Sequence, residues 1–152
     1  MREVLFRGKT KQGEWVYGQY CELRDGKTTI PCIYYKGEII KDTLGQYTGL
    51  TDKNGKKIFE GDIVEVEHTL RTIHRGEIPE SYKPRRSHSC WWDEKRDEMH
   101  YKRNYAVEWK KKDARWILRN GSDQHDLRDI FLHFHDGIVI GNIHDNPELL
   151  NR

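Results

Sequence analysis

The dipeptide Asn54-Gly55 constrains the fold of this chain more than any other feature. It lies between two segments rich in apolar and β-branched residues, Tyr47–Leu50 and Lys57–Phe59. A two-residue hairpin loop needs a positive φ at both central positions, and Asn-Gly adopts that conformation at the least steric cost. The sequence therefore predicts that the two segments run antiparallel, with residues 52–56 at the tip of the hairpin.

A second break in the pattern, Glu60-Gly61-Asp62, leads into the next predicted strand. Gly61 supplies a backbone conformation that other residues avoid, and Asp62 is placed to accept a hydrogen bond from a nearby N–H. Val64 and Val66 then recur with the period of two residues that is typical of a strand with one solvated face. We therefore expect this strand to line a small apolar interior.

Three segments together resemble the YopX family of phage and prophage proteins. The central segment reads TGLTDKNGKKIFEGDIV, Phe6–Gly18 resembles the opening of the family, and Val139–Leu150 resembles its close. The resemblance implies a β-rich, phage-associated protein and implies no particular activity. The motif residues in these segments are Gly49, Asn54, Gly55, Gly61, Asp62, Gly141, Asn142 and Pro147.

The spacing of turns and of apolar residues predicts the fold class. Turn dipeptides recur at intervals of roughly ten residues, as in an antiparallel meander. Leu127, Ile130, Phe131 and Phe134 have helical spacing after Ser122, which is a suitable N-cap. We predict an α+β fold that is mostly antiparallel β, with a small barrel-like β core and one or two short helices.

Composition favours one domain with a modest core. The chain has 152 residues, of which 34% are charged, against ~25% in typical proteins. No apolar run is long enough to span a bilayer, and three scattered cysteines argue against a disulfide framework. We expect a single domain over residues 1–152, in the cytoplasm of a bacterial host cell and not associated with a membrane.

The segment at about residues 70–104 departs from this pattern. Between Leu70 and Asn104 there are nine basic and six acidic residues, so the segment holds the whole basic excess of a chain with net charge +2. Within it, Asp93–Arg103 is compatible with one helix, because oppositely charged side chains recur at helical spacing. We predict an inserted basic surface segment.

The inserted segment also suggests a nucleic-acid site. Its basic side chains are suited to phosphates, and adjacent tryptophans are suited to stacking on unpaired bases. Alternatively, the tryptophans dock onto the body of the protein or onto another subunit. The residues concerned are Lys83, Arg85, Arg86, Trp91 and Trp92.

Metal binding and catalysis have weaker support. His88 with Cys90 and His133 with His135 are candidate ligand pairs, but a structural zinc site usually needs two close pairs, and no second cysteine pair exists. The chain has no Gly-rich phosphate loop, nucleophile elbow or paired-histidine helix motif. We expect no metal, no cofactor and no enzymatic activity.

Protein binding is the function that the sequence favours. An antiparallel meander leaves strand edges that need covering, and the chain has five Trp and eight Tyr, which are favoured interface anchors. We expect a homo-oligomer, with a host or phage protein as a further partner. The alternative is a nucleic-acid-binding accessory factor that uses the inserted segment.

Overall fold

The computed structural model describes residues 3–74, 95–130 and 137–151. The chain divides into two compact units, Met1–Val66 with Arg103–Arg152, which we call the main unit, and Glu67–Lys102. Residues 75–94, which make up most of the predicted insert, lie outside the described residues. The single domain with an inserted segment therefore stays a prediction.

The described residues form twelve strands and a few short helical turns. The strands are β1 (Phe6–Lys9), β2 (Trp15–Gly18), β3 (Tyr20–Asp25), β4 (Thr28–Ile33), β5 (Gly37–Glu38), β6 (Gly45–Thr51), β7 (Lys57–Phe59), β8 (Asp62–His74), β9 (Lys95–Lys110), β10 (Arg115–Asn120), β11 (Asp123–Asp126) and β12 (Gly137–Asn142). Two 3-10 helices span Lys41–Thr43 and Pro147–Asn151, and residues 127–130 form one helical turn. The fold is mostly antiparallel β, as predicted, with a curled half-barrel sheet. The described helices are only short turns, so the helical content is lower than the predicted α+β class implies. None of the described helices is long and apolar enough to cross a bilayer.

The strands pair in three sheets, with the orders β2-β1-β6-β7, β11-β10-β9-β8-β12 and β3-β4-β5. Strand β6 changes register with β7 between Tyr47 and Thr51, and Gly49 lies in this bulge. Strand β12 changes register with β8 between Val139 and Gly141. Such bulges bend the strands and increase their local twist.

The central hairpin forms as predicted, but its tip does not have the expected loop. Residues 52–56 connect β6 to β7, and Gly55 has a φ of 80° while Asn54 is not in the positive region. The Asp52 carboxylate holds the loop, because its Oδ1 accepts the N–H groups of Asn54 and Lys56 at 2.8 and 2.9 Å. The prediction of a two-residue Asn-Gly loop is therefore wrong, and the Asp52 carboxylate organises the tip of the hairpin instead.

The apolar interior lies in the main unit. Val64 and Val66 are 0% and 1% exposed, which confirms the expectation for this strand. Leu127 and Ile130, two of the four residues predicted to face the core from a helix, are buried and lie in a single helical turn, whereas Phe131 and Phe134 lie outside the described residues. The buried cluster comprises Ile58, Val64, Val66, Tyr105, Val107, Trp116, Leu118, Leu127 and Ile130.

Strands β8 and β9 extend into the segment where the sequence suggests an insert. The possible helix at Asp93–Arg103 is wrong, because residues 95–103 belong to β9. In this region the ring of His68 on β8 stacks on Tyr101 of β9 at 5.1 Å. Ladder hydrogen bonds to neighbouring strands are worth more than a few weak helical charge pairs, so tertiary pairing decides the structure.

Candidate functional site

Arg7 and Asp62 form a buried ion pair beside the break between β7 and β8. Arg7 Nη1 is 2.6 Å from Asp62 Oδ1, and the Phe59 N–H donates to Asp62 Oδ2 at 2.8 Å. The guanidinium also donates to the Glu60 carbonyl at 3.1 Å and lies 4.7 Å from the centroid of the Trp15 ring. Burial raises the pKa of Asp62, and Arg7 and the Phe59 N–H oppose that shift. The predicted bond from Asp62 to a nearby N–H is present, and the same carboxylate neutralises a buried cation.

Asp145 joins the C-terminal segment to β1 and β2. Its Oδ2 accepts hydrogen bonds from Trp15 Nε1 at 2.7 Å and Asn142 Nδ2 at 2.8 Å, and its Oδ1 pairs with Lys9. The hydrogen bonds from Asn142, Lys9 and Trp15 hold the pKa of Asp145 well below its usual range. The ring of His144 packs 6.0 Å from Trp15, and burial lowers the pKa of this histidine.

These two clusters bring together the opening, central and closing segments that carry the family resemblance. Trp15 contacts both, because its ring lies beneath the guanidinium of Arg7 and its N–H bonds to Asp145. The Arg7–Asp62 ion pair and the Asp145–Trp15 hydrogen bond each join segments that are far apart in the sequence. We therefore interpret the motif residues as groups that stabilise the fold.

Replacement of Asp145 by asparagine is expected to destabilise the protein at neutral pH and less so in acid. A carboxyl group whose pKa is lowered in the folded state contributes stability above its unfolded pKa of about 3.9, and this contribution is lost as the pH falls through the folded value. Urea denaturation at pH 6 and below pH 4 measures the difference between wild type and Asp145→Asn. A difference that does not shrink in acid would contradict the role of the ionised carboxylate.

Other motif residues shape the backbone around these clusters. Gly61 has a φ of 80°, as its place in the break requires. A Cβ on Gly141 would lie 2.7 Å from Asn146 Oδ1, so only glycine fits there without movement. The side chain of Asn142 accepts the N–H of His144 at 2.9 Å, and Pro147 begins the terminal 3-10 helix.

The predicted nucleic-acid residues Lys83, Arg85, Arg86, Trp91 and Trp92 lie outside the described residues. Their role stays a prediction.

The candidate metal ligands His88, Cys90, His133 and His135 also lie outside the described residues. In residues 3–74, 95–130 and 137–151, no group of three or more His, Cys, Asp or Glu side chains is arranged to hold a metal ion.

Strand β3 is the edge of its sheet and is well exposed. Only β4 pairs with β3 among the described strands. Glu22 and Arg24 are exposed, and Leu23 between them is 57% exposed. Tyr20 donates its hydroxyl to Glu22 Oε1 at 2.7 Å, which raises the pKa of Tyr20 to about 12. The strand thus presents backbone hydrogen-bonding groups beside an apolar side chain and two opposite charges.

The turn after β4 presents two tyrosines. Tyr35 is 88% exposed and has a φ of 58°, and its ring centroid is 4.2 Å from that of Tyr34. The left-handed conformation costs a residue other than glycine roughly 1–2 kcal/mol. Nothing in the sequence marks Tyr35 for this conformation, because tyrosine has no preference for it. An exposed aromatic ring on a strained turn is typical of a binding surface.

A comparison with family models agrees with the resemblance seen in the sequence. A family model described as "YopX protein" matches residues 5–151, which is nearly the whole chain and includes both clusters. No curated protein matches the chain. A solved structure titled "Crystal structure of protein EF1440 from Enterococcus faecalis" is similar, with 19% sequence identity, a TM-score of 0.49, and coverage of 99% of each chain.

Proposed function

The chain belongs to the YopX family, and we propose that it is a non-enzymatic phage or prophage accessory protein that acts through protein–protein binding, first of all by self-association. We place it in the cytoplasm of the bacterial host, where a host or phage protein is a further partner. The observation that supports self-association is the exposed edge strand β3, whose side chains are complementary to those of a second copy.

The self-complementarity follows from the order of residues along β3. If two copies pair antiparallel about a two-fold axis at Leu23, this leucine faces its own counterpart, and Glu22 faces the partner's Arg24. Opposite charges and apolar groups that face each other across strands each contribute roughly 0.2–1 kcal/mol. The new backbone hydrogen bonds also remove an edge that would otherwise remain unpaired.

The tyrosine turn adds apolar surface to the same three-stranded sheet. Tyr34 and Tyr35 follow β4 directly, and both are more than half exposed. Tyrosine is enriched at interfaces because it buries a large area at a small cost in conformational entropy. We propose that these rings contribute to the interface beside the two paired β3 strands.

Charge reversal on β3 tests the proposal. Light scattering is expected to give the wild-type protein a mass of twice the 18.2 kDa chain mass. Glu22→Arg places two arginines opposite each other, and Arg24→Glu places two glutamates opposite each other, so each variant alone is expected to be monomeric. An equimolar mixture of the two variants restores opposite charges at both positions and is expected to form dimers.

Glu14→Arg, on an exposed turn outside β3, is the matched control and should dimerise as wild type does. Wild-type protein that stays at a single-chain mass over a wide concentration range would refute self-association. Dimers that persist in both single variants would refute pairing through β3.

The alternative function, a nucleic-acid-binding accessory factor that uses residues 70–104, rests on Lys83, Arg85 and Arg86. Because these residues lie outside the described part of the chain, this alternative stays a prediction.

A further inference from the structure

A cleft of about 450 Å³ opens in the main unit between the bulge of β6 and the turn that joins β9 to β10. Its walls include the backbone at Gly49 and the side chains of Trp109 and Trp116. The two tryptophans are cross-strand neighbours whose ring centroids are 4.9 Å apart. Trp116 is buried, whereas Trp109 is 40% exposed. The cleft therefore has the size of a ligand site and an accessible aromatic ring in its wall.

Basic side chains surround this cleft, which we call the Trp109 cleft. Arg115 and Arg128 line it, and Lys111 and Lys112 are exposed on the adjoining turn. Arg115 is already paired with Asp126 at 3.0 Å. Within residues 3–74, 95–130 and 137–151, no ion pair within 4 Å joins Lys111, Lys112 or Arg128 to a carboxylate, although the charge of Lys111 acts on Glu60. Three cationic groups beside the cleft are thus available to an anionic ligand.

Two local features of the cleft lower the stability of the fold. Ala114 lines it with a φ of 49°, a conformation that residues other than glycine rarely adopt. Among the described residues, the buried indole N–H of Trp116 has no hydrogen-bond partner. Lys110 and Asp113, paired at 2.8 Å, hold the turn that carries the exposed Lys111 and Lys112. Strained backbone clusters at functional sites, and a buried donor without a partner calls for an explanation.

We propose that the Trp109 cleft binds single-stranded nucleic acid, with one base stacked on Trp109 and adjacent phosphates held by Lys111, Lys112 and Arg128. Any base offers a flat π-face to an indole, and each phosphate offers a negative charge to a basic side chain. An acidic peptide satisfies the cations but leaves the exposed indole without a stacking partner. The proposal is independent of pairing through β3.

Fluorescence anisotropy with labelled oligo-deoxythymidine and oligouridine tests this site. Wild-type protein is expected to bind both probes, and its affinity should fall steeply with salt because bound phosphates displace counterions. Trp109→Ala removes the stacking platform and should weaken binding by roughly tenfold or more. Arg128→Ala should weaken binding and reduce the slope of log affinity against log salt by about 0.7, the value for one phosphate contact on a single strand.

Two further variants separate binding from folding. Trp109→Phe keeps an aromatic face and should retain most of the affinity. Circular dichroism first shows whether Trp109→Ala is folded. If the role of Trp109 is purely structural, folded Trp109→Ala should bind the probes as tightly as wild type does. Lys27→Ala, on the exposed β3–β4 turn, removes a cation elsewhere and should leave the affinity unchanged.

Several outcomes would overturn the proposal. Absence of binding at low salt would do so directly, and so would binding that survives in both Trp109→Ala and Arg128→Ala. Loss of binding only in an Arg85→Ala/Arg86→Ala variant would place nucleic acid in the inserted segment instead. Equal competition by polyglutamate would indicate an acidic protein partner, and equal affinity for duplex DNA would exclude base stacking.

Discussion

Replacing Asp62 with asparagine is expected to lower the free energy of unfolding by about 3–5 kcal/mol, the cost of leaving a buried cation without its partner. Arg7 is 6% exposed and Asp62 is 1% exposed, so water does not replace the lost charge. The amide oxygen of an asparagine can still accept the Phe59 N–H, and its NH2 group then faces Arg7 in place of Oδ1, so the variant loses both the charge and one acceptor. Urea denaturation followed by tryptophan fluorescence measures the change.

Two comparisons establish the cause of that loss. Asp25→Asn removes a carboxylate from the exposed end of β3 and is expected to change the free energy of unfolding by less than about 0.5 kcal/mol. Adding Arg7→Met to Asp62→Asn is expected to recover part of the lost stability, because no buried cation then needs a partner. An unchanged denaturation midpoint in Asp62→Asn would show that the ion pair contributes nothing.

The parts of the fold that were predictable depend on short patterns. The β6–β7 hairpin and the burial of Val64 and Val66 follow from turn residues and from a period of two, and both are determined within a few positions. The conformation at the hairpin tip was less predictable. It depends on the Asp52 side chain, which competes with the intrinsic preference of Asn54-Gly55 by accepting backbone N–H groups.

Contacts between distant residues were beyond prediction from one sequence. Asp145 bonds to Lys9 and Trp15, which lie 136 and 130 positions earlier in the chain. No local pattern marks these residues as partners, although each lies in a segment that resembles the family. The resemblance therefore pointed to the right segments, and the structure was needed to show that they meet in two polar clusters.

The two proposed binding sites, the Trp109 cleft and strand β3, were also predictable only in part. The run WKKKDARW, residues 109–116, carries a basic and aromatic signal that is readable in the sequence as well as in the structure. It becomes a cleft only because the bulge of β6 lies opposite, and that placement depends on sheet topology. The alternation of charge around Leu23 is likewise visible, but only the strand order shows that β3 is an edge.

Asp52, rather than Asn54, is expected to be the residue on which the central hairpin depends most. Besides its two bonds within the loop, its Oδ2 accepts the Val139 N–H of β12 at 3.0 Å, so one carboxylate fixes the tip and joins it to another sheet. Hydrogen bonds to charged groups contribute about 1.5–3 kcal/mol each, and water replaces part of those lost at the exposed end of the loop. We expect Asp52→Ala to lower the free energy of unfolding by about 3 kcal/mol.

Asn54→Ala is the matched control at the same tip. Its side chain is exposed and its backbone is outside the left-handed region that favours asparagine, so the change is expected to stay within about 0.5 kcal/mol. Asp52→Asn should fall between the two, because an amide keeps one acceptor oxygen and loses the charge. If urea denaturation instead shows a larger loss for Asn54→Ala than for Asp52→Ala, then the intrinsic turn preference of Asn-Gly determines this hairpin and the carboxylate does not.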